Sequence, residues 1–349
     1  MPTDPHRRPT LEQVAAAARV SMSTASKVLN GRPGISPATR QRVAAAIEDL
    51  GYAPTTGPRA VDAPPLGVAV VFRTLADLYA MRVLEGVVAS AREQGVEVVV
   101  DVLDVPAHGT EPLSPAWIRR QAAADRAGVV LVTTQPTPEQ HALLRDRGVA
   151  TVHIDPVDPM DDSTVSVGST NFSGGVQATR HLLDLGHRRI AFAGGAESFL
   201  PSSERLQGYL SAVRAGEGRV DESLVRSRAH TFAAGLAMAD ELLDRPDRPT
   251  AVFAASDSIA LGVLASAQRH GLRVPEDLSV VGFDDSPAAA SAAPPLTTVR
   301  QPVVEMGRVA LRTLLQLARG ERVDSHHVQL STTLVVREST APPGESGRA

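Results

Sequence analysis

The sequence predicts a small all-α head followed by a larger α/β body. Short helical patterns fill the chain up to about residue 51. From Leu66 onward, valine-rich runs alternate with helical segments, which is typical of parallel sheets covered by helices on both faces. The 349 residues are enough for two or three domains with sizeable cores.

Charge separates the same two parts of the chain. Residues 1–61 contain eight Lys and Arg against four Asp and Glu, a net charge of +4. The remaining residues contain 27 against 35, a net charge of −8. A basic head on an acidic body indicates a polyanion as the partner of the head alone. A lightly charged, solvated face is the alternative, and charge by itself does not separate the two.

The first helical pattern begins at Thr10, a residue type favoured at helix N-caps. Gln13 follows three residues later, where a capping-box partner belongs. The spacing predicts a helix over residues 11–18 whose inner face carries Leu11, Val14, Ala15 and Ala18. Arg19 and Val20 would form the turn to a second helix, which Ser21 would cap.

The second helix, predicted over residues 22–29, has two different faces. The face toward the first helix carries Ala25, Val28 and Leu29, and the outward face carries Met22, Ser23, Thr24, Ser26 and Lys27. Small polar groups reach phosphates, and a cation bonds a guanine edge in the major groove. The outward set therefore favours a helix-turn-helix that reads DNA. An ordinary antiparallel helix pair in a core is the alternative.

A third helix completes the head. Asn30-Gly31 would close the second helix, and Ser36 would cap a third that opens with Pro37. The apolar stripe of this helix consists of Val43, Ile47 and Leu50, with Gly51 as its C-cap. Because a three-helix unit this small has little core, we expect its exposed second helix to contact another molecule.

The body alternates predicted strands and helices. Strands are predicted over residues 66–72, 96–102, 128–134, 150–155, 189–195, 251–256 and 278–284. Helices are predicted over residues 80–94, 174–185, 204–215, 233–243 and 259–270. Parallel sheets of this kind bind ligands beyond the carboxyl ends of their strands, so polar residues that follow the strands are site candidates.

Several classes of function lack their signatures. The absence of cysteine excludes disulfides and cysteine metal sites and fits a reducing cytoplasm. No apolar run reaches bilayer length and MPTDPHRRPT lacks a signal-peptide core, so we expect a cytoplasmic protein. Nucleotide-binding glycine motifs and the G-x-S-x-G elbow are absent, and His326-His327 lacks zinc-protease spacing. We therefore expect no enzyme, no metal and no cofactor.

Five separated motifs carry a resemblance: TLEQVA, VSMSTASKVLNG, ISPATRQRVAAAIEDLGYAP, DLSVVGFDD and PPLTTVRQP. With them, nearly the whole chain resembles the lactose-repressor (LacI/GalR) family of bacterial transcription regulators. The resemblance implies a helix-turn-helix head on a periplasmic-binding-protein-like effector domain of two parallel-sheet subdomains. It further implies a homodimeric repressor of a pseudo-palindromic DNA operator, controlled by a sugar in the interlobe cleft. The identity of the sugar, and whether it releases or promotes DNA binding, stay open.

Two other classes of protein would share such a body. A soluble sugar-binding protein of a transport system needs export and has no use for a basic head. An α/β sugar-modifying enzyme needs a base or nucleophile pair, for which the sequence gives no support.

The resemblance also implies the domain boundaries. The head would cover residues 1–53, the hinge 54–65 and the effector domain 66–339. Within that domain the N-lobe would comprise residues 66–166 and 297–325, and the C-lobe residues 167–296 and 326–339. Residues 340–349 would be a flexible tail, whose lack of a leucine heptad favours a dimer over a tetramer.

In the family, the hinge forms a short helix on DNA, and an apolar residue near its end wedges into the minor groove. Val61 occupies that position where the family usually has leucine, and a shorter wedge gains less from unstacking a base step. Gly57 and Pro58 are unusual in a helix, and Pro58 is tolerable only in a first turn. A disordered tether is the alternative.

The resemblance places DNA contacts in the head and the hinge. Lys27 replaces the family's usual arginine and lacks its planar fork. Arg19 stands where the family generally has glycine, so the turn either avoids a left-handed conformation or accepts strain. The full set of expected contacts is Thr10, Ser21, Met22, Ser23, Thr24, Ser26, Lys27, Asn30, Thr39, Arg59 and Val61.

Two residues are the principal effector-binding candidates. Arg205, in ERLQGY, matches the family arginine that grips sugar hydroxyls or a carboxylate, and Asp284, in GFDD, matches the aspartate that accepts from ligand hydroxyls. A surface salt bridge is the alternative for each. Ser256-Asp257 stands where family members often have Asn-Asp, which leaves one bidentate contact in doubt. Asp257 would either touch the ligand or cap the helix that follows.

Further candidates are aromatic residues and two carboxylates. His230 falls where the family often has an aromatic ring that stacks on the sugar, and a partly exposed surface histidine is the alternative. Phe172 and Tyr79 are expected to supply an apolar wall for the sugar face, with core packing as the alternative. Asp77 and Asp155, each at a strand-to-loop exit, are weaker candidates.

Overall fold

The computed structural model describes residues 10–29, 35–50, 66–103, 113–124, 126–134, 136–158, 164–196, 198–216 and 220–344. The chain forms two compact units, Met1–Pro64 and Pro65–Ala349, called here the head and the body. The hinge prediction, with Gly57, Pro58, Arg59 and Val61, lies outside the described residues. Among the described residues, no helix is long and apolar enough to cross a membrane.

The head consists of three helices, α1 (Leu11–Ala17), α2 (Met22–Leu29) and α3 (Pro37–Leu50). The predicted capping box is present, because the Thr10 amide donates to Gln13 Oε1 at 2.8 Å and the Gln13 amide donates to Thr10 Oγ1 at 3.4 Å. Val14, Ala25 and Val43, one from each helix, are fully buried against one another in a single small core. The helix-turn-helix prediction is confirmed.

The turn between α1 and α2 accepts backbone strain. Arg19 adopts a left-handed conformation with a φ of 53°. A non-glycine residue there costs about 1–2 kcal/mol. Ser21 then caps α2, since the Thr24 amide donates to its hydroxyl at 3.2 Å.

The first sheet of the body belongs to the N-lobe. Its strands are β1 (Gly67–Phe72), β2 (Glu97–Val102), β3 (Arg126–Val132), β4 (Ala150–Ile154), β5 (Ser166–Ser169) and β11 (His327–Leu330). They pair in parallel in the order β11-β5-β4-β3-β1-β2. The accompanying helices are α4 (Leu78–Gln94), α5 (Pro115–Ala123), α6 (Pro138–Asp146) and α12 (Val303–Ala318).

The second sheet belongs to the C-lobe. Its strands are β6 (Ile190–Gly194), β7 (Val225–Ser227), β8 (Ala251–Ala254), β9 (Ser279–Asp284), β10 (Thr297–Arg300) and β12 (Thr333–Val335). The order is β12-β10-β9-β8-β6-β7, and only the edge pair of β10 and β12 is antiparallel among these. The helices are α7 (Asn171–Asp184), α8 (Leu200–Ala215), α9 (Phe232–Leu243), α10 (Asp257–Arg269) and α11 (Pro287–Ala290), with a 3₁₀ turn at Glu222–Leu224. The predicted pair of parallel-sheet subdomains is confirmed.

The chain crosses between the lobes at three places that differ from the predicted lobe boundaries. The first crossover lies at Ser169-Thr170, because β5 stays in the N-lobe sheet. The second lies at Gln301-Pro302, because β10 pairs with β9 of the C-lobe, and the third lies at residues 331–332, because β11 pairs with β5. The predicted boundaries at 166, 297 and 325 were wrong. The short strands β5, β10 and β11 contain polar residues, and only their pairing with distant strands shows to which lobe each belongs.

The helices α7 and α8 pack with their backbones in contact. A Cβ atom on Gly175 would lie 2.4 Å from the carbonyl oxygen of Arg205, and one on Gly208 would lie 2.3 Å from that of Phe172. Only glycine permits this approach. The contact lies three residues from Phe172 in α7 and three residues from Arg205 in α8 and therefore holds these parts of the two helices together.

The chain from residue 336 to residue 344 runs along the C-lobe. The Ser339 hydroxyl donates to the Val280 carbonyl at 2.6 Å, and Nε2 of the buried His187 lies 2.9 Å from the Ala341 carbonyl oxygen. The flexible tail predicted from residue 340 is therefore wrong for residues 340–344, because hydrogen bonds to the sheet hold them. Residues 345–349 lie outside the described residues.

Candidate functional site

The exposed face of α2 carries the predicted DNA-reading side chains. Met22 is 57% exposed, and Ser23 and Lys27 are exposed beside it. The hydroxyls of Ser21 and Thr24 lie 2.8 Å apart at the start of the helix. The small polar groups and the cation thus occupy one accessible surface.

The other predicted DNA contacts have different positions. Thr10 is held in the cap of α1, Ser26 is half-buried, and Thr39 accepts from the Ser36 hydroxyl at 2.9 Å at the start of α3. Asn30, Arg59 and Val61 lie outside the described residues.

Arg205 is enclosed in the second turn of α8, with only 4% of its surface exposed. Its Nε donates to Asn171 Oδ1 at 2.9 Å, and its Nη1 donates to the Ala255 carbonyl at 2.7 Å. The guanidinium also stacks on the Phe283 ring, 3.9 Å from the centroid. This burial excludes the alternative of a surface salt bridge.

Asp284 lies beside Arg205 at the end of β9. Its Oδ1 is 3.8 Å from Arg205 Nη1 and accepts from Gln301 Nε2 at 2.6 Å. Burial raises the pKa of Asp284 to about 7, although the nearby guanidinium acts in the opposite direction. Its φ of 116° is a strained backbone conformation, so the position of this carboxylate is imposed by its surroundings.

On the N-lobe side, Tyr79 donates its hydroxyl to the Asp155 carboxylate. Asp155 is 3% exposed, and burial raises its pKa to about 6, against the stabilising effect of the tyrosine hydroxyl. Burial and the Asp155 charge raise the pKa of Tyr79. The charge of Arg205 lowers this pKa, and the charge of Asp284 raises it further. The two lobes thus contribute to one polar cluster, and Tyr79 enters it through its hydroxyl instead of forming a purely apolar wall.

Ser256 and Asp257 have separate structural roles. Ser256 is the N-cap of α10, since its hydroxyl accepts from the Ile259 amide at 3.3 Å. Asp257 is buried and accepts from Thr298 Oγ1 at 2.6 Å and from the Ser286 amide at 2.7 Å. Of the two alternatives for Asp257, ligand contact or the helix cap, the cap is wrong because Ser256 fills that position. Burial raises the pKa of Asp257 to about 6.

The His230 ring is enclosed although the residue as a whole is partly exposed. Its Nε2 lies 2.8 Å from the Ser202 hydroxyl, and the ring meets Phe199 edge-on at 5.4 Å between centroids. Burial lowers the pKa of His230 to about 3, so the imidazole is neutral at physiological pH. A side chain on Gly195 would collide with this ring.

The last two predicted residues, Asp77 and Phe172, are both exposed. Asp77 is the N-cap of α4 and accepts from the Ala80 amide at 2.7 Å. Phe172 is 46% exposed on the first turn of α7, so core packing does not account for it.

A pocket lies between the lobes beside Asp155. It is lined on the N-lobe side by Ser166, Gly168 and His327, and on the C-lobe side by Leu200, Pro201 and Glu204. Asn171 also lines it and donates to Glu204 Oε2 at 3.1 Å. Burial raises the pKa of Glu204. Among the described residues, no group of three or more His, Asp or Glu side chains is placed to hold a metal ion.

Both parts of the chain match known families. Residues 10–55 match the bacterial regulatory proteins of the lacI family, and residues 179–340 match a periplasmic binding protein-like domain. The chain is 38% identical over 341 residues to the HTH-type transcriptional regulator CelR of Thermobifida fusca, covering 95% of this chain and 98% of that protein. It is 32% identical over 332 residues to the HTH-type transcriptional repressor CytR of Escherichia coli K12, covering 95% and 96%. The chain belongs to the lacI family.

Two solved structures extend this likeness. The transcriptional regulator CelR–cellobiose complex has a TM-score of 0.69 at 36% identity, covering 95% of this chain and all of that one. The lac repressor dimer bound to operator and the anti-inducer ONPF has a TM-score of 0.72 at 27% identity, covering 96% and 100%. This lacI-family member is accordingly a DNA-binding transcriptional regulator with a periplasmic-binding-protein-like body.

The polar cluster of this lacI-family protein includes residues that the sequence analysis missed. Asn171 and Glu204 each adjoin Arg205 in space, and Gln301 bonds Asp284. Gln301 lies within PPLTTVRQP, a motif that carried the family resemblance without a role for this glutamine. Gln301 directly follows β10, and Asn171 lies two residues beyond β5. Neither strand was predicted from the sequence, so the position of these residues after a strand gave no signal.

Proposed function

We propose that this lacI-family regulator is a repressor that binds a pseudo-palindromic operator as a homodimer and changes its operator affinity when a sugar occupies the interlobe cleft. The observation that carries the proposal is the buried Arg205 of α8 beside the partly buried Asp284 at the carboxyl end of β9. A fixed guanidinium beside a carboxylate offers donors and an acceptor to neighbouring hydroxyls of one sugar ring.

The charges of the cleft favour an uncharged ligand. Among the described residues of this cluster, Asp155, Glu204 and Asp284 contribute carboxyl groups beside one guanidinium, that of Arg205. Carboxylates accept from hydroxyls, whereas a phosphate or a second carboxylate would be repelled. Neutral sugars are therefore the proposed class, with Phe172 and His230 as proposed stacking surfaces. Cellobiose is a suitable first probe, since CelR has been solved with it.

A proposed dimer surface lies on the N-lobe. The exposed apolar residues Leu78, Met81 and Val88 share one face of α4, at 48%, 48% and 47% exposure. The edge strand β2 adds the exposed residues Val99, Val100 and Val102. Exposed apolar side chains on a helix and on an edge strand that it contacts indicate a protein partner. The lac repressor is a dimer in one similar structure, so a second copy of this chain is the proposed occupant.

Two paired heads would enter successive major grooves, with Met22, Ser23 and Lys27 of each directed at a half-site. Sugar and operator would then influence each other by equal coupling free energies. Since its proposed target is chromosomal DNA, we place the protein in the cytoplasm. We assign it no catalytic activity, because its proposed site groups bind and position a ligand.

The test is retardation of DNA fragments from around its own gene, with and without cellobiose and a panel of neutral monosaccharides and disaccharides. We expect the protein to retard a palindromic fragment, and we expect one of the sugars to change the extent of this retardation. Binding of a sugar without any DNA retardation would instead support the runner-up, a sugar-binding protein of a transport system.

A further inference from the structure

The three crossovers between the lobes are bonded to one another. In the first crossover, the Ser169 hydroxyl donates to Gln301 Oε1 of the second crossover at 2.6 Å. The next residue, Thr170, accepts from the Thr332 amide of the third crossover at 3.0 Å. The first crossover is therefore tied to both of the others by adjacent side chains.

The bond between Ser169 and Gln301 continues into the proposed effector site. Gln301 Nε2 donates to Asp284 Oδ1 at 2.6 Å, and Asn171 Oδ1 lies 3.4 Å from the Ser169 hydroxyl. The circuit closes because Arg205 Nε donates to Asn171 and Arg205 Nη1 lies 3.8 Å from Asp284. The resulting interlobe ring consists of Arg205, Asn171, Ser169, Gln301 and Asp284.

Burial makes the interlobe ring sensitive to displacement. Ser169 is fully buried, and Asn171 and Gln301 are 3% and 4% exposed. With Asp284 ionised, the Gln301 amide takes one orientation, because turning it over would direct its oxygen at the carboxylate. A bond broken here leaves buried polar groups unsatisfied, so a movement of Asp284 is accommodated by a movement of Gln301.

We propose that Ser169 and Gln301 are positioning residues that transmit a displacement of Arg205 or Asp284 to the first and second crossovers and thereby set the angle between the lobes. The sugar-binding role of Arg205 and Asp284 rests on the proposed function. The link between the ring and the interlobe angle does not, and it can be measured without sugar or DNA.

The full-length protein suits distance measurement because it contains no cysteine. Ala116→Cys on α5 and Ser211→Cys on α8 introduce one exposed spin-label position in each lobe. Mixing labelled protein with an excess of unlabelled protein leaves one labelled chain per dimer. Pulsed electron paramagnetic resonance then gives the distribution of interlobe distances within one chain.

The test compares this distribution in Gln301→Met, Ser169→Ala and a control, Gln268→Met, at an exposed position within α10. We expect the first two variants to gain a second interlobe distance that the control and the parent protein lack. Ser169→Ala decides the outcome alone if Gln301→Met fails to fold, since it removes only one hydroxyl.

A lower melting temperature with an unchanged distance distribution in Gln301→Met and Ser169→Ala would overturn the proposal, because the ring would then contribute stability only. This outcome is distinct from a failure of the proposed function, which would appear as absent DNA retardation.

Discussion

Lys27 is the one lysine of the chain and is exposed on α2 between half-buried neighbours. If it bonds a guanine edge, Lys27→Ala is expected to cost ~1–3 kcal/mol of discrimination at one base pair of each half-site. Binding to operators with single base changes measures this. The control is Arg42→Ala, which removes the same charge from an exposed position on α3. It is expected to leave the sequence preference intact. An unchanged preference in Lys27→Ala would refute its base-reading role.

Arg205 supports a second prediction at the residue scale. Arg205→Ala removes the buried cation beside Asp284 and is expected to abolish the sugar response. Calorimetry with the sugar that alters DNA retardation by the parent protein is the measurement. Arg214→Ala, exposed in the last turn of α8, is the control. Undiminished sugar binding in Arg205→Ala would rule out its ligand role.

The pKa of Asp284 predicts a pH effect whose sign is fixed. Burial raises this pKa from 3.8 to about 7, so the folded protein binds the proton more tightly than the unfolded chain. The ionised carboxylate therefore reduces stability progressively as pH rises through that range. The unfolding midpoint of Asp284→Asn is expected to rise relative to the parent protein between about pH 4 and about pH 7, the interval between the unfolded and folded pKa values of Asp284. Contributions from buried histidines, which both proteins share, cancel in this difference; a constant difference would contradict the prediction.

Single residues of the site were predictable where a sequence motif identified them. Arg205 and Asp284 were named from ERLQGY and GFDD, and the structure places them side by side. Asn171 and Gln301 were missed because their bonds span 34 and 17 residues and depend on how helices and strands assemble. The hydroxyl role of Tyr79 was missed for the same reason, since Asp155 is 76 residues away.

At the scale of elements, the apolar face of α4 yields a prediction about assembly. Met81→Asp is expected to raise the dimer dissociation constant by roughly tenfold or more, because a twofold interface contains the substitution twice and buries its charge. Light scattering after size exclusion over a dilution series measures the change. Val336→Asp, at a residue 61% exposed in the C-lobe, is the control. Dimers of unaltered affinity in Met81→Asp would place the interface elsewhere.

Elements were predictable from sequence where burial was continuous. The strands β1 and β3 are almost wholly buried apolar runs, and periodicity identified both within two residues. By contrast, β10, β11 and β12 have only three or four residues each and contain polar side chains, so no local pattern separated them from loops. Their lobe is decided by long-range pairing, which explains the misplaced lobe boundaries.

For the whole molecule, the carboxyl-rich cleft predicts selectivity by ligand charge. Glucose or cellobiose is expected to raise the melting temperature of the protein at a concentration where glucose 6-phosphate and glucuronate do not, because bound ligand stabilises the fold by mass action. Thermal shift over these matched pairs is the measurement. Glu204→Gln removes one carboxylate and keeps the shape of the side chain. It is expected to reduce the difference in melting-temperature shift between the neutral and the anionic sugars. A preference for the anionic sugars would contradict the charge argument.

The three crossovers also constrain the order in which parts of the protein can fold during its synthesis. The N-lobe sheet includes β11 at one edge. The C-lobe sheet includes β12, and its His187 and Val280 form hydrogen bonds with Ala341 and Ser339. Because β11, β12, Ser339 and Ala341 all lie beyond residue 326, neither lobe can be finished while the last part of the chain is still being synthesised. The head, complete within the first 64 residues, emerges first and folds as a unit. A ribosome that stalls late would therefore release a finished DNA-binding head attached to a body with two open sheet edges, which are sites for aggregation.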